Sequence, residues 1–161
     1  MQKSTTSNFQ ETQKLGENFA AEILARDPQK NATVLALSGD LGAGKTTFLQ
    51  GFAKGLGIKE IVNSPTFIIM KKFQITSSKS QINSKFKIQN SKFTYFYHFD
   101  LYRLETRKDL DFLNFQEIIF NPKNIVAIEW PGKLGDVLPE NSISINFSHL
   151  KENTRGVNVI E

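Results

Sequence analysis

The sequence contains no cysteine, so disulfide bonds and metal sites built from thiolates are excluded. No uninterrupted apolar run approaches the roughly 20 residues that a membrane-spanning helix requires. The first eight residues are polar and lack the apolar stretch of a secretory signal peptide. These absences predict a cytoplasmic protein that is not inserted in a membrane.

The positive net charge comes from one segment. The net charge is +4, yet six lysines and no acidic residue lie between Lys71 and Thr94, which leaves the rest of the chain mildly acidic. Residues 74–93 consist mainly of Gln, Ser, Lys and Asn, and such a tract buries too little apolar area to offset its ordering entropy. We interpret it as a hairpin tip or disordered insertion in a single domain spanning 1–161; the alternative is that its lysines contact nucleic-acid phosphates.

The spacing of apolar residues predicts alternating helices and strands, which is typical of an α/β domain. Helices are predicted over three segments: 8–26, 45–56 and 106–119. The first of them begins with a capping box formed by Ser7 and Gln10. Single strands are predicted at 33–37, 66–70, 95–99 and 124–128. An antiparallel pair is predicted near the C-terminus, at 142–147 and 156–160.

The run Gly39-Asp-Leu-Gly-Ala-Gly44-Lys45-Thr46 fits the phosphate-binding pattern G-x-x-x-x-G-K-[ST] at every position. Its glycines allow consecutive backbone N–H groups to face a phosphate, and the following helix contributes its positive N-terminal end. Lys45 is expected to reach the β- and γ-phosphates, and the Thr46 hydroxyl to bind Mg²⁺. An ordinary glycine-rich turn is the alternative, but a buried strand leads in and an amphipathic helix leads out. The residues expected to contact the nucleotide are Asp40, Leu41, Gly42, Ala43, Gly44, Lys45, Thr46 and Thr47.

Two acidic residues each end a predicted buried strand. Asp100 follows residues 95–99 and Glu129 follows residues 124–128. A P-loop protein usually supplies a carboxylate from such a position to Mg²⁺. We expect one acid to hold the metal, and the other to bind it through water or to orient the attacking water. Each carboxylate alone could instead be a capping or solvent-facing group.

Two further residues and one segment bear on the predicted function. Thr66, about 20 residues beyond Lys45, is either a sensor of the γ-phosphate or part of a simple Ser-Pro entry to a strand. His98 is predicted to be a structural histidine that points away from Asp100. Guanine-specific P-loop proteins use Asn-Lys-x-Asp, and the nearest segment, Thr106-Arg-Lys-Asp109, differs in its first two residues. Its place before a predicted helix also favours adenine over guanine.

Four segments occur in a characteristic order: Gly-Asp-Leu-Gly-Ala-Gly-Lys-Thr-Thr (39–47), Ser-Pro-Thr-Phe (64–67), His-Phe-Asp-Leu-Tyr-Arg-Leu (98–104) and Glu-Trp-Pro (129–131). Together they closely resemble the TsaE family, bacterial ATPases required for threonylcarbamoyladenosine synthesis on tRNA. The resemblance runs from about residue 9 to 160. It implies an α/β P-loop NTPase of three layers, with a mixed, mostly parallel sheet and antiparallel edge strands.

The resemblance also implies ATP and Mg²⁺ as ligands, and the TsaD–TsaB pair, with its tRNA, as partners. It assigns Mg²⁺ to Thr46 and Glu129, with Asp100 as the second essential acid. Thr66 would be the switch residue, Lys45 the phosphate-binding lysine, and Thr12 would lie near the adenine. In this family ATP hydrolysis is thought to reset the partner complex between turnovers.

Two other classes of function compete with this interpretation. A small-molecule or nucleotide kinase usually closes an arginine-rich lid over the phosphates, whereas the four arginines of this chain form no cluster in the sequence. A nucleic-acid-binding module would rest on the lysine tract alone, without interleaved stacking motifs or a recognisable domain.

Overall fold

A computed structural model describes residues 1–76, 92–106 and 108–161, the side chain of Asp136 excepted. The seven strands of these residues are β1 Gln2–Thr6, β2 Thr33–Ser38, β3 Met70–Gln74, β4 Tyr95–Asp100, β5 Asn124–Glu129, β6 Ile143–Lys151 and β7 Thr154–Ile160. The helices are α1 Phe9–Ala25, α2 Lys45–Gly55, α3 Lys108–Asp111 and α4 Phe115–Ile119. No helix in the described ranges is long and apolar enough to cross a membrane.

All seven strands form one sheet in the order β1-β7-β6-β2-β5-β4-β3. The central strands β6, β2, β5 and β4 run parallel, whereas β1, β7 and β3 pair antiparallel with their neighbours. The predicted α/β class, with a mixed sheet and antiparallel edges, is therefore confirmed. Because β2, β4 and β5 are parallel, their carboxyl ends meet at one edge of the sheet, which is where ligands bind in open α/β sheets.

Helices α1 and α2 cover one face of the sheet in very close contact with each other. A Cβ atom on Gly16 would lie 2.1 Å from the backbone oxygen of Phe48, and one on Gly51 would lie 1.8 Å from that of Gln13. Neither distance is sterically allowed, so these two glycines are what lets the helix backbones approach. Phenylalanine rings from both helices and from the sheet fill the space beneath them: Phe19, Phe48, Phe52, Phe96 and Phe147.

The opposite face is covered by short elements. The predicted helix over 106–119 is wrong as a single helix, because α3 ends at Asp111 and α4 starts at Phe115. Asn114 separates them in the left-handed conformation, with φ at 53°, and such a residue ends regular helix hydrogen bonding. The ring of Phe115 packs edge-on against Phe99 of β4, with 5.2 Å between the ring centroids.

The predicted strand at 66–70 is also wrong. Residues 66–69 form a turn, and Ile69 adopts a positive φ of 63°, so β3 begins only at Met70. The cap of α1 is shifted by one residue from the predicted box. The Asn8 side chain accepts from the Glu11 N–H at 2.8 Å, and Glu11 in turn accepts from the Ser7 N–H at 2.7 Å. Strand β1, for which the sequence analysis made no prediction, pairs with β7.

The ends of the predicted 74–93 insertion belong to the folded body. Gln74 is the last residue of β3, and Ile75 and Phe93 are buried in the core beneath α1 and α2. Residues 77–91, which make up the rest of the tract, lie outside the described residues. The predicted insertion therefore extends too far at both ends.

Candidate nucleotide-binding site

The glycine-rich loop joins the end of β2 to the start of α2, as the phosphate-binding pattern requires. Gly39 has φ at 138°, and a Cβ atom there would lie 2.5 Å from the backbone oxygen of Phe147. Gly44, with φ at 103°, is the left-handed residue from which α2 begins. The loop thus needs glycine at both positions, and it directs the N-terminus of an 11-residue helix at whatever the loop encloses.

The other loop residues divide into core and rim. Ala43 is buried in the core beneath α1 and α2, so it meets the space above the loop through its backbone. Asp40 and Leu41 are exposed at the rim. Gly42 and Thr47 line the cavity beside the loop.

Lys45 is almost completely buried although it carries a charge. Its Nζ donates to the backbone oxygens of Gly39, at 2.7 Å, and Asp40, at 2.9 Å. The same nitrogen lies 4.2 Å from the ring centroid of Trp130, within the range of a cation–π contact. Burial lowers the pKa of the Lys45 ammonium, and nearby carboxylates, led by that of Glu129, act in the opposite direction. Lys45 is therefore a weakly hydrated donor at the mouth of the loop.

Thr46 and Glu129 meet across the sheet edge. The Thr46 hydroxyl donates to Oε1 of Glu129 at 3.0 Å. The same carboxylate oxygen lies 2.9 Å from Nε2 of His98, which is fully buried. The structure thus brings together the hydroxyl and the carboxylate that were predicted to share a metal ion.

Asp100, paired with Glu129 in the β4–β5 register, has different partners. The hydroxyls of Ser64 and Thr66 both donate to its Oδ2. Its Oδ1 accepts from the backbone N–H of Tyr102 at 3.0 Å. The carboxylate consequently fastens the 64–66 segment to the end of β4.

These side chains surround one cavity of about 340 Å³. The glycine loop and the start of α2 form one wall, and Thr66, Asp100 and Glu129 lie on the others. Its volume is within the range of small-molecule pockets. The side-chain oxygens that could bind a metal here belong to hydroxyl and carboxylate groups. Such oxygens suit Mg²⁺, an ion bound by one or two carboxylates together with water and substrate phosphates. The described residues contain no cluster of three His, Cys, Asp or Glu side chains that would form a complete protein cage.

A second cavity adjoins the first, since Gly42, Gly44 and Thr47 line both. Thr12 and Arg155 form part of its wall. The Thr12 hydroxyl is already satisfied, because it donates to the backbone oxygen of Asn8 at 3.1 Å and lies 2.8 Å from the hydroxyl of Thr6. Thr12 is thus placed beside the loop, as expected for a residue near the base, and offers its methyl group rather than a free hydrogen bond.

Comparison with known proteins identifies the family. The family described as "Threonylcarbamoyl adenosine biosynthesis protein TsaE" matches residues 6–157. The chain belongs to the TsaE family. A relative from Haemophilus influenzae, a tRNA threonylcarbamoyladenosine biosynthesis protein TsaE, is 33% identical over 91% of this chain and 81% of its own length. The TsaE protein of Bacillus subtilis is 34% identical over 96% of this chain and 82% of its own.

A solved structure supports the same conclusion for the fold. The crystal structure of Bacillus subtilis YdiB superposes with a TM-score of 0.64 and 30% identity, covering 97% of this chain and 82% of that one. The fold of this TsaE chain is thus that of a P-loop NTPase. Its family places it among the proteins of threonylcarbamoyladenosine biosynthesis.

Sequence reasoning missed three residues of this TsaE site. Ser64 was noted only as part of a Ser-Pro segment, and the contact of Trp130 with Lys45 was not predicted. The prediction that His98 points away from Asp100 was wrong, because residues two apart on a strand share a face of the sheet. That period-two rule was the signal that would have placed His98 beside the strand-end acids.

Proposed function

We propose that this TsaE-family protein binds ATP with Mg²⁺ and hydrolyses it in support of threonylcarbamoyladenosine formation on tRNA, next to the anticodon. Its partners in this proposal are the TsaD and TsaB proteins, with tRNA held through their complex. The observation that carries the proposal is the convergence of Lys45, the Thr46–Glu129 pair and Asp100 on one cavity beside a complete phosphate-binding loop.

Each residue has a role that follows from its contacts. Lys45 exchanges its two carbonyl partners for the β- and γ-phosphate oxygens, because the hydrogen bond between two charged groups is the stronger one. Thr46 and Glu129 would hold Mg²⁺, which supplies charge neutralisation on the phosphates. Asp100 orients the attacking water, and Thr66, bonded to Asp100, senses the γ-phosphate.

An exposed apolar surface beside the site favours a protein partner. Phe67 is 82% exposed and Ile68 59% exposed, and both follow Thr66 in the turn. Arg103 lies 4.3 Å from the ring centroid of Phe67, so a charge accompanies the apolar surface. A partner that covers this turn contacts the same segment that is bonded to Asp100. ATP hydrolysis at Asp100 can then change the surface that the partner complex binds.

The proposal is tested by Lys45→Ala and Thr46→Ala, each of which should abolish ATP hydrolysis. Lys54→Ala is the matched control, since Lys54 lies on the same helix with its side chain 74% exposed. Unchanged melting temperatures would show that the fold is intact. Turnover at the wild-type rate in Lys45→Ala would contradict the assignment of the loop, and phosphate transfer to a small acceptor would indicate a kinase instead.

The pathway role needs a reconstituted system. Purified TsaD, TsaB and tRNA, supplied with an activated donor of the threonylcarbamoyl group, should complete multiple rounds of modification only when this protein and ATP are both present. Multiple rounds without it, or with the Lys45→Ala variant, would contradict the proposed role while leaving ATP binding untouched.

A further inference from the structure

His98 is a buried polar residue to which the proposed reaction gives no task. It lies on β4 with no exposed surface, and its ring is roughly parallel to that of Phe96. The β4–β5 register places it opposite Ala127, two residues before Glu129. Burying a polar side chain beside a phenylalanine ring costs free energy unless the side chain is hydrogen-bonded.

The hydrogen bond of His98 is directed at one atom. Its Nε2 lies 2.9 Å from Oε1 of Glu129, and an ionised carboxylate only accepts, so Nε2 carries the proton. Within the described residues the other ring nitrogen, Nδ1, has no hydrogen-bond partner. Glu129 is thus the one polar contact described for His98.

Oε1 of Glu129 also accepts from the Thr46 hydroxyl at 3.0 Å. A metal ion on Thr46 and Glu129 would draw the Thr46 hydroxyl oxygen away from this contact, whereas His98 is fully buried and does not line the cavity. His98 is therefore the partner able to keep the carboxylate oriented when Thr46 turns to a ligand. Outer partners of this kind are known to set the orientation and affinity of metal-binding side chains.

We propose that His98 is a positioning residue that fixes the Glu129 carboxylate for Mg²⁺ through the Nε2–Oε1 hydrogen bond. The inference rests on the proposed function, since it concerns the metal that accompanies ATP. It predicts that the reach of the side chain at position 98, rather than its polarity, determines the affinity for Mg²⁺.

Two amide substitutions separate reach from polarity. In His98→Gln the amide nitrogen stands near the place of Nε2, whereas in His98→Asn the same group is one methylene short of Glu129. Mg²⁺ is titrated by calorimetry into each full-length variant with a non-hydrolysable ATP analogue, and nucleotide binding is repeated in EDTA. Phe99→Leu is the control for a weakened β4, because Phe99 is buried on the opposite face.

We expect His98→Asn to weaken Mg²⁺ binding by about 10- to 100-fold, the usual cost of losing such a partner. His98→Gln and Phe99→Leu should stay within a few-fold of wild type, and binding in EDTA should be alike in all four proteins. Equal Mg²⁺ affinities in the Asn and Gln variants would overturn this inference but not the proposed function. The same holds if His98→Asn loses nucleotide affinity equally with Mg²⁺ and in EDTA. If the nucleotide affinity of the wild-type protein is the same with Mg²⁺ and in EDTA, the proposed function is contradicted as well.

Discussion

Glu129 and Asp100 end neighbouring parallel strands, yet the structure holds them in different ways. Glu129 is bonded by Thr46 at the start of α2 and by the fully buried His98. The side chains that bond Asp100 come from the 64–66 segment, in which Ser64 is exposed and Thr66 half-buried. Glu129 is thus held by a buried residue and a helix of the core, whereas Asp100 holds a turn at the surface.

The difference indicates two kinds of work for two chemically similar groups. A metal-binding carboxylate benefits from partners that do not move, because its orientation is then fixed before the ligand arrives. A carboxylate that holds a turn changes its surroundings whenever the turn moves. This difference supports the proposal that Glu129 holds the metal and that Asp100 serves the step that depends on the position of Thr66.

The largest effect should come from Glu129→Ala. Removing the carboxylate itself should weaken Mg²⁺-dependent nucleotide binding by more than about 100-fold, because the loss of a mere outer partner already costs about 10- to 100-fold. Titrations with and without Mg²⁺ measure the effect. An unchanged Mg²⁺ affinity here, together with its loss in Asp100→Ala, would show that the roles of the two acids are exchanged.

Asp100→Asn should act on the chemical step instead. We expect hydrolysis in single-turnover experiments to slow by about 10²- to 10⁴-fold, the usual contribution of a residue that accepts or orients a proton. Nucleotide affinity should change only a few-fold, because the glycine loop and Lys45 are intact. Loss of affinity in parallel with loss of rate would argue against this division of labour.

Ser64→Ala should have a smaller effect on the same step. It removes one of the two hydroxyls on Oδ2 of Asp100, and a net contribution of about 1 kcal/mol corresponds to roughly a fivefold lower turnover. Ser142→Ala is the control, since that hydroxyl donates to the Pro139 backbone oxygen at 2.6 Å, remote from the site. A change in Mg²⁺ affinity in Ser64→Ala would contradict the division in which Glu129 holds the metal and Asp100 serves hydrolysis.

The smallest effect is expected from a change in the 77–91 segment. Replacing it with Asn-Gly should hardly change the melting temperature, because loop closure costs about 0.6 kcal/mol per doubling of loop length. Removing 74–93 instead should destabilise the protein by several kcal/mol, since it deletes the buried Ile75 and Phe93.

The shorter replacement also tests the lysines of the segment. With the partner proteins present, a flatter salt dependence of tRNA binding would show that they contact phosphate. A large fall in melting temperature after the 77–91 replacement would contradict the prediction.

Local sequence patterns predicted the part of the site that is formed by one continuous segment of the chain. The glycine loop, its strand and its helix lie within about 20 consecutive residues, so their spacing alone was informative. The meeting of Asp100 and Glu129 was also predictable, because acids that follow parallel strands share an edge of the sheet.

What could not be predicted depends on contacts between distant segments. The apolar, β-branched run at 66–70 favours a strand, but the turn that brings Thr66 to Asp100 requires a positive φ at Ile69. Strand β1 has no apolar alternation, and it forms because the edge of β7 offers it backbone partners. Nothing within the Ser-Pro segment itself indicates that Ser64 will bond to Asp100, 36 residues away.

The glycine contacts between α1 and α2 have a mechanical consequence. Thr12 beside the second cavity and Thr46 beside the first are carried by two helices whose backbones touch at Gly16 and Gly51, without side chains between them that could slide or compress. Backbone contact at these points couples the two helices, so we expect them to move together. Any movement that accompanies nucleotide binding is then expected in the exposed turn that ends at Ile69, which the Ser64 and Thr66 hydroxyls connect to Asp100.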